Sequence, residues 1–336
     1  MRRKSIRKRG SDGKPAEKVK TVFKIHANGT GRVPMTIQNE IKAWKKKRQA
    51  VILGHNYQRA EVQDIADHLG DSLALSVKAT QTDAKVIVFC GVDFMAESAK
   101  VLNPEKTVLH PNLAAKCPMA AMMDVEGLRE LKKEHPKAYV VGYVNTSAEC
   151  KTELDIACTS SNAIKIVKKA PSDEVIFVPD SNLGLYVQRF VKDKKMILWP
   201  GYCPTHVEIR VEDLQAIRKQ HPEAELMVHP ECAPEVIDVA DVTLSTEGMV
   251  KHVRESPKKE FIIGTEKNMI YRLRKEIPNK TYIEVPAAIC PNMREISLQD
   301  VLNSLQTLQP EVTLSADVIR RAKIPLERMI EAGRGD

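Results

Sequence analysis

Residues 226–231 read LMVHPE, an apolar run that ends in a histidine and a glutamate. Short apolar runs bounded by turn-forming residues are typical of buried strands. Similar runs at residues 50–53 and 139–141 lead to His55 and Tyr143. The chain therefore contains three predicted strands that each end in an aromatic or imidazole side chain.

The residues that follow these strands recur in one register. Counting from His55, Tyr143 and His229, each copy has a glutamate six residues on, an aspartate twelve on and a hydroxyl seventeen on. Self-similarity at a fixed period indicates repeated structural units. Three α/β units of similar length without a shared site remain the alternative. The repeated residues are Glu61, Glu149, Glu235, Asp67, Asp155, Asp241, Ser72, Ser160 and Thr246.

Each copy alternates strand-like runs with helix-like stretches. In the first copy, residues 60–69 predict a helix that Gly70 ends, and residues 85–89 and 107–109 predict further strands. Such alternation indicates parallel sheets with helices on their faces. We therefore predict an α/β fold of three pseudo-symmetric α/β/α sandwich units, with parallel sheets around a central active site.

The domain boundaries are predicted from the same repeat. Residues 37–117 form unit 1 with a lead-in helix, residues 118–203 form unit 2, and residues 204–336 form unit 3 with C-terminal helices. Residues 1–36 form a basic extension that we expect to be disordered, because it has few large apolar groups.

The net charge of +8 belongs to this extension. Residues 1–36 hold eleven Lys and Arg and two acidic residues, whereas the remainder holds 41 basic and 42 acidic residues. A nucleic-acid partner is not indicated, because no aromatic residue is interleaved with the basic residues at positions 1–22. Neither a membrane span nor a signal peptide is expected, and scattered cysteines in odd number favour the reducing cytoplasm.

Three of the seven cysteines share one context. Cys117, Cys203 and Cys290 each precede a proline and lie 86 and 87 residues apart. Three thiols without a fourth suit a soft metal or an iron–sulfur cluster with one open iron, which can act as a Lewis acid. The alternative for each cysteine alone is a small buried hydrophobic side chain.

The strand ends also carry pairs of polar residues. His229 and Glu231 lie two residues apart, and in extended chain such residues point to the same side. A carboxylate there can serve as general acid or base, or can cap the next helix. Each unit is therefore predicted to present two polar side chains to one central cavity. The other pairs are His55 with Tyr57 and Tyr143 with Asn145.

The repeated hydroxyls lie at predicted helix starts. Ser72, Ser160 and Thr246 occupy these positions, and helix starts attract anions because their N–H groups are unpaired. The hydroxyls would suit a substrate with several carboxylates or a phosphate. Ordinary N-capping is the alternative, and both roles can coexist.

Eight stretches together resemble the quinolinate synthase family, the iron–sulfur enzymes of de novo NAD biosynthesis. The likeness covers about residues 37–330. The stretches are GHNYQRAEVQDIADHLGDSLALS, VIVFCGVDFMAESAK, GYVNTSAECKTELDIACTSSNA, PDSNLGLYV, WPGYCP, VHPECAPEVIDVAD, GTEKNMIYRL and CPNM.

The resemblance implies a transferase that condenses iminoaspartate with dihydroxyacetone phosphate, losing phosphate and water. It also implies a 4Fe-4S cluster on the three Cys-Pro cysteines, and we expect transient contact with an iminoaspartate-producing enzyme. We assign catalysis to Glu231, His229, Tyr57 and Tyr143. By position in the family motifs, the substrate-binding residues are His55, Ser72, Tyr143, Asn145, Ser160, His229, Glu231 and Thr246.

Two other functions remain open at this stage. A diphthamide-type radical enzyme also takes three cysteines from three such domains, although the His-Pro-Glu and Tyr-Val-Asn segments argue against it. An iron–sulfur sensor that binds nucleic acid through the basic extension belongs to a different class.

Overall fold

Three parallel four-stranded sheets form the framework of the computed structural model, which describes residues 35–336. Within each sheet the first strand lies between the second and the third, so all three sheets have the same order. The strands are β1 (Ala50–His55), β2 (His68–Gly70), β3 (Val86–Cys90), β4 (Thr107–Leu109), β5 (Tyr139–Tyr143), β6 (Ile156–Cys158), β7 (Glu174–Val178), β8 (Lys195–Leu198), β9 (Glu225–Val228), β10 (Val242–Thr243), β11 (Glu260–Gly264) and β12 (Thr281–Glu284).

Helices connect the strands and cover the sheets. Each unit has a lead-in helix before its first strand and one helix before each later strand. The helices are α1 (Ile37–Arg48), α2 (Ala60–Ile65), α3 (Ser72–Gln81), α4 (Asp93–Leu102), α5 (Val125–Glu134), α6 (Ala148–Lys151), α7 (Ala163–Lys168), α8 (Ser181–Gln188), α9 (Pro204–Val207), α10 (Val211–Gln220), α11 (Pro234–Val239), α12 (Thr246–Glu255), α13 (Met269–Glu276), α14 (Leu298–Thr307) and α15 (Ala316–Ala332).

The central strands are apolar because both of their faces are covered. In β1, Val51 and Leu53 join a large core that runs through all three units, whereas Ile52 joins a smaller core beneath α1 and α14. This alternation follows from the two-residue period of a strand. The predicted α/β architecture of three pseudo-symmetric units is confirmed.

The repeated aspartates perform one structural task in all three units. Asp67 accepts the backbone N–H of Ile52 at 2.8 Å, and its own N–H donates to the Ile52 carbonyl at 2.9 Å. Asp155 and Asp241 make the same pair of bonds, again to the residue fifteen positions earlier. Each aspartate thus satisfies backbone groups at the start of a central strand, where an unpaired buried N–H is costly.

Two details of the first copy differ from the sequence prediction. The helix predicted over residues 60–69 ends at Ile65, and His68–Gly70 forms the edge strand β2. Edge strands β6 and β10 occupy the same place in the other units. These strands have two or three residues, too few to show a periodic pattern in the sequence.

The two C-terminal helices pack away from unit 3. Helix α14 lies against α1, and α15 lies against α4, α6 and β6 of the first two units. The boundaries at residues 117 and 203 stay a prediction. The basic extension predicted for residues 1–36 lies outside the described residues, apart from its last two positions. Among the described helices, none has the length and apolar character that a membrane crossing requires.

Candidate active site

A cavity of about 190 Å³ lies at the carboxyl ends of the first strands. Parallel sheets commonly bind ligands at this edge. All twelve residues predicted for the site line this one cavity, although their individual roles stay predictions. They are His55, Tyr57, Ser72, Cys117, Tyr143, Asn145, Ser160, Cys203, His229, Glu231, Thr246 and Cys290.

The three Cys-Pro cysteines reach the cavity from one loop of each unit. All are free and partly buried, and a helical turn follows each one. Pro204 occupies the first position of α9, where proline is suited because it lacks an N–H that would otherwise be unpaired. Burial raises the pKa of the Cys117, Cys203 and Cys290 thiols. The donor set fits a cluster with three thiolate ligands, because no other cysteine of the described chain lines the cavity.

Acidic residues accept hydrogen bonds from the backbone of two of the cysteine loops. The Cys117 N–H donates to Asp93 Oδ1 at 3.0 Å, and the Cys290 N–H donates to Glu266 at 3.5 Å. In unit 2 the corresponding acid is Asp180, whose Oδ1 caps α8. Sequence reasoning missed this set. The sequence signal for this set is an acidic residue two or three positions after the third strand of each unit.

Two strand ends carry the same histidine turn. The N–H of Tyr57 donates to His55 Nδ1 at 3.2 Å, and the N–H of Glu231 donates to His229 Nδ1 at 3.3 Å. Because Nδ1 accepts, each neutral ring carries its proton on Nε2. Burial lowers the pKa of His55 to about 4 and that of His229 to about 3, against the opposing effect of Glu231. Both imidazoles are therefore neutral near pH 7.

Glu231 is a buried carboxylate held by two hydrogen-bond donors. The Tyr143 hydroxyl donates to Oε1, and His206 Nδ1 lies 2.8 Å from Oε2. His229 Nδ1 accepts the Glu231 N–H and does not donate to the carboxylate, from which it lies 3.8 Å away. Burial alone would raise its pKa, but His206 and the Tyr143 hydroxyl hold the pKa of Glu231 below its usual range. The carboxylate is therefore ionised in the free protein.

Two residues that sequence reasoning missed link the catalytic candidates. Tyr57 Oη lies 2.5 Å from Thr265 Oγ1, which lies 2.8 Å from His206 Nε2. His206 Nδ1 faces both Glu231 and the Cys203 sulfur, which is 3.1 Å away. One proton arrangement satisfies the chain, with Tyr57 donating to Thr265, Thr265 to His206 and His206 to Glu231. The available signal was a histidine three residues after Cys203, on the turn that the cysteine starts.

The hydroxyls do not serve as N-caps, which was the alternative to anion binding. The N-caps are Asp71, Asn162 and Ser245, so Ser72 and Thr246 are first helical residues, and Ser160 precedes α7 by three positions. In α3 and α12 a neighbouring residue accepts the helix N–H instead, so the N-capping alternative is not observed there. The hydroxyls are consequently not occupied as N-caps.

The amide groups near the hydroxyls differ in their bonding. Asn56 Nδ2 donates to Thr246 Oγ1 at 2.8 Å, which fixes this hydroxyl between units 1 and 3. Asn145 Oδ1 is buried and accepts no hydrogen bond within the described chain. An unsatisfied buried acceptor that lines a cavity is suited to a donor on a ligand.

Comparisons with known proteins identify the family of the chain. The family of quinolinate synthetase A proteins matches residues 39–331. A quinolinate synthase of Geobacter sp. (strain M21) is 52% identical over 300 residues, which are 89% of this chain and 98% of that protein. Quinolinate synthase 1 of Methanosarcina acetivorans is 52% identical over 291 residues, which are 86% of this chain and 95% of that protein.

These matches confirm the enzyme family predicted from the sequence. They give no support to the diphthamide-type alternative, which none of the matched names describes. The chain belongs to the quinolinate synthetase A family.

Proposed function

We propose that this enzyme condenses iminoaspartate with dihydroxyacetone phosphate and releases quinolinate, phosphate and water. The proposal includes a 4Fe-4S cluster held by Cys117, Cys203 and Cys290. The observation that carries it is that the three thiols and the nine other predicted site residues, which come from all three units, line one cavity. The family places this reaction in NAD biosynthesis.

The cysteines hold the cluster and join the units. When bound, a cluster with one iron free of protein ligands supplies a Lewis acid that polarises a hydroxyl or carboxyl oxygen. Each thiol comes from a different unit, so cluster binding also fixes the separation of the three loops. Asp93 and Glu266 orient two of these loops through the cysteine N–H groups.

Glu231 acts as the general base in this proposal. It is ionised in the free protein, and the Tyr143 hydroxyl and His206 fix its orientation. Binding a dianionic substrate next to it raises its proton affinity, which matches a group that must take a proton and later return it. The chain from Tyr57 through Thr265 and His206 offers a route for that proton.

Neutral donors bind the substrates. His55 and His229 have Nε2–H groups available, because the backbone occupies their Nδ1 atoms. The hydroxyls of Ser72, Ser160 and Thr246 and the amide of Asn145 complete the set. We assign carboxylate and phosphate groups to the hydroxyls. We also propose a cytoplasmic location and transient contact with the enzyme that supplies iminoaspartate, with neither a membrane nor nucleic acid as partner.

The test is anaerobic purification followed by iron and sulfide analysis and a quinolinate assay. We expect about four irons and four sulfides per chain, with quinolinate formed only when both substrates are present. Alanine at Cys117, Cys203 or Cys290 should abolish the cluster. Alanine at Cys90, Cys150, Cys158 or Cys232 serves as the matched control and should retain it. A cluster that survives loss of a Cys-Pro cysteine contradicts the ligand assignment, and an intact cluster without quinolinate contradicts the activity.

A further inference from the structure

Residues 333–336 contact all three units beside the substrate hydroxyls. Asn162 of unit 2 donates from Nδ2 to the Gly333 carbonyl at 3.0 Å, and the Gly335 N–H donates to the Ser161 carbonyl at 2.9 Å. Arg334 extends in the other direction, toward units 1 and 3. Asn162 and two partners of Arg334 are N-cap residues, so this segment joins the corresponding helices of the three units.

Arg334 bridges two loops that carry substrate hydroxyls. Its Nη1 donates to Asp71 Oδ2 at 2.8 Å, and its Nη2 donates to Ser245 Oγ at 2.9 Å. Asp71 directly precedes Ser72, and Ser245 directly precedes Thr246. The planar guanidinium can hold both partners at a fixed separation, which a single ammonium group cannot do equally well.

The segment fits closely where it lies. A Cβ added at Gly335 would come within 2.8 Å of the Ser161 carbonyl oxygen, and one added at Gly248 would come within 2.6 Å of Asp336 Oδ2. Asp336 in turn lies 2.9 Å from Arg334 Nη2. Residues 333–336 are therefore packed into a defined groove between the units.

The charges of the cavity-lining residues indicate an electrostatic role for Arg334. None of the described residues that line the cavity is Lys or Arg, while Asp71 and Glu231 add carboxyl groups. His55 and His229 are neutral at pH 7, since burial lowers their pKa values. Within the described chain, the Asp71–Arg334 pair is the one salt bridge that brings a Lys or Arg to a cavity-lining residue. Without Arg334, the Asp71 carboxylate would repel an anionic substrate.

We propose that Arg334 is a positioning residue for the anionic groups of the substrate. It pairs with Asp71, while Asp336 binds the same guanidinium, and it holds the loops of Ser72 and Thr246 at the separation that a carboxylate or phosphate requires. This inference rests on the proposed function, since that function supplies the anionic substrates. Arg334 acts through its neighbours and does not take part in the chemical steps.

The test compares Arg334→Met and Arg334→Lys with Arg320→Met, in which an exposed arginine of α15 is changed in the same way. Quinolinate, a dicarboxylate, and dihydroxyacetone phosphate are titrated calorimetrically into the cluster-loaded proteins, and steady-state constants are measured. We expect Arg334→Met to weaken binding of at least one of these two ligands, with kcat nearly unchanged. The KM of the substrate that carries the affected anionic group should rise about tenfold or more. Weaker binding of quinolinate would show that Arg334 positions a carboxylate, and weaker binding of dihydroxyacetone phosphate would show that it positions the phosphate.

Two further comparisons separate positioning from general stability. Arg334→Lys should restore part of the affinity, and Asp71→Asn should reduce the loss caused by Arg334→Met, because the uncompensated charge is gone. Parent-like affinities and KM values in Arg334→Met overturn the inference, as does a loss of the same size in Arg320→Met. If Arg334→Met does not fold, parent-like constants for both ligands in Arg334→Lys overturn it. A parent that binds both ligands but forms no quinolinate contradicts the proposed activity and leaves the Arg334 comparison decisive.

Discussion

The loops after the first strands of units 1 and 3 share a hydrogen-bond pattern that the loop of unit 2 lacks. In units 1 and 3, His55 and His229 each accept the backbone N–H two residues on. In unit 2, Tyr143 occupies that place and donates its hydroxyl to Glu231 of unit 3. All three strands nevertheless begin with the same aspartate contact.

This comparison distinguishes the backbone, which repeats in all three units, from the side chains at the strand ends, which differ between the units. The backbone repeats because each unit must cover both faces of a four-stranded parallel sheet. The side chains at the strand ends diverge because the two proposed substrates and their proton transfers have no threefold symmetry. Tyr57, Asn145 and Glu231 illustrate this, since they hold equivalent positions with a phenol, an amide and a carboxylate.

The largest effect is expected where unit 3 supplies its carboxylate. Glu231→Gln keeps the shape of the side chain but removes its ability to take a proton. We expect quinolinate formation to fall by roughly 10²–10⁴-fold in a folded protein with full iron content, which is the usual contribution of a general acid or base. Steady-state turnover under anaerobic conditions measures this loss.

The matched control is Glu235→Gln, which changes an exposed glutamate in the first turn of α11. It should turn over like the parent. Parent-like turnover of Glu231→Gln would instead show that Glu231 only supports the cavity wall, and the proton transfers would pass to Tyr57 or His229.

A smaller effect is expected in the second unit, whose tyrosine serves Glu231 of the third. Tyr143→Phe removes one donor from the carboxylate, and hydrogen bonds to charged groups contribute about 1.5–3 kcal/mol. We expect turnover to fall roughly 10- to 100-fold. The pKa of Glu231 should rise because an interaction that lowers it is lost, so the acid limb of the pH–rate profile should move to higher pH.

Tyr139→Phe is the control for this change, because Tyr139 begins the same strand and does not line the cavity. Its pH–rate profile should overlay that of the parent. An unmoved acid limb in Tyr143→Phe would mean that the phenol does not donate to the ionised carboxylate.

The sequence predicted the repeated parts better than the contacts between units. Long buried runs such as residues 174–178 were recognisable as strands from composition alone. His206 was missed because its partners, Glu231 and Thr265, lie on other segments of the chain. Arg334 was missed for the same reason, since its contacts with Asp71 and Ser245 form only when the chain returns to the first and third units.

A third prediction tests the aspartate contact that all three units share. Alanine at Asp67, Asp155 or Asp241 leaves a backbone N–H at the start of a central strand without its acceptor. We expect each change to lower the free energy of unfolding by about 1–3 kcal/mol, the cost of an unsatisfied buried donor. Chemical unfolding measures it, and turnover of the folded fraction should stay near that of the parent. Losses that differ widely among the three units would show that the repeat is not energetically equivalent.

The smallest effect is expected at a charged residue of unit 2 that units 1 and 3 lack at the equivalent position. Glu153 lies two residues before Asp155, where units 1 and 3 have Ile65 and Val239. Its carboxylate pairs with Arg129 at 2.9 Å, Lys132 at 3.0 Å and Arg321 of α15 at 3.0 Å. Although partial burial opposes it, hydrogen bonds from Lys132 and Arg129 lower the pKa of Glu153 to about 2 from 4.5.

Because the folded pKa lies below the unfolded one, this carboxylate stabilises the fold fully above pH 4.5 and loses its effect as the pH falls toward 2. Glu153→Gln should therefore lower the free energy of unfolding by about 1 kcal/mol at pH 7, since partly exposed ion pairs contribute little. The difference from the parent should shrink steadily in unfolding curves recorded at pH 4 and below. Glu126→Gln changes an exposed partner of the same Arg129 and should have almost no effect at any pH. A Glu153→Gln loss that persists unchanged at acid pH would mean that packing of α15 on unit 2, rather than charge, is what the side chain provides.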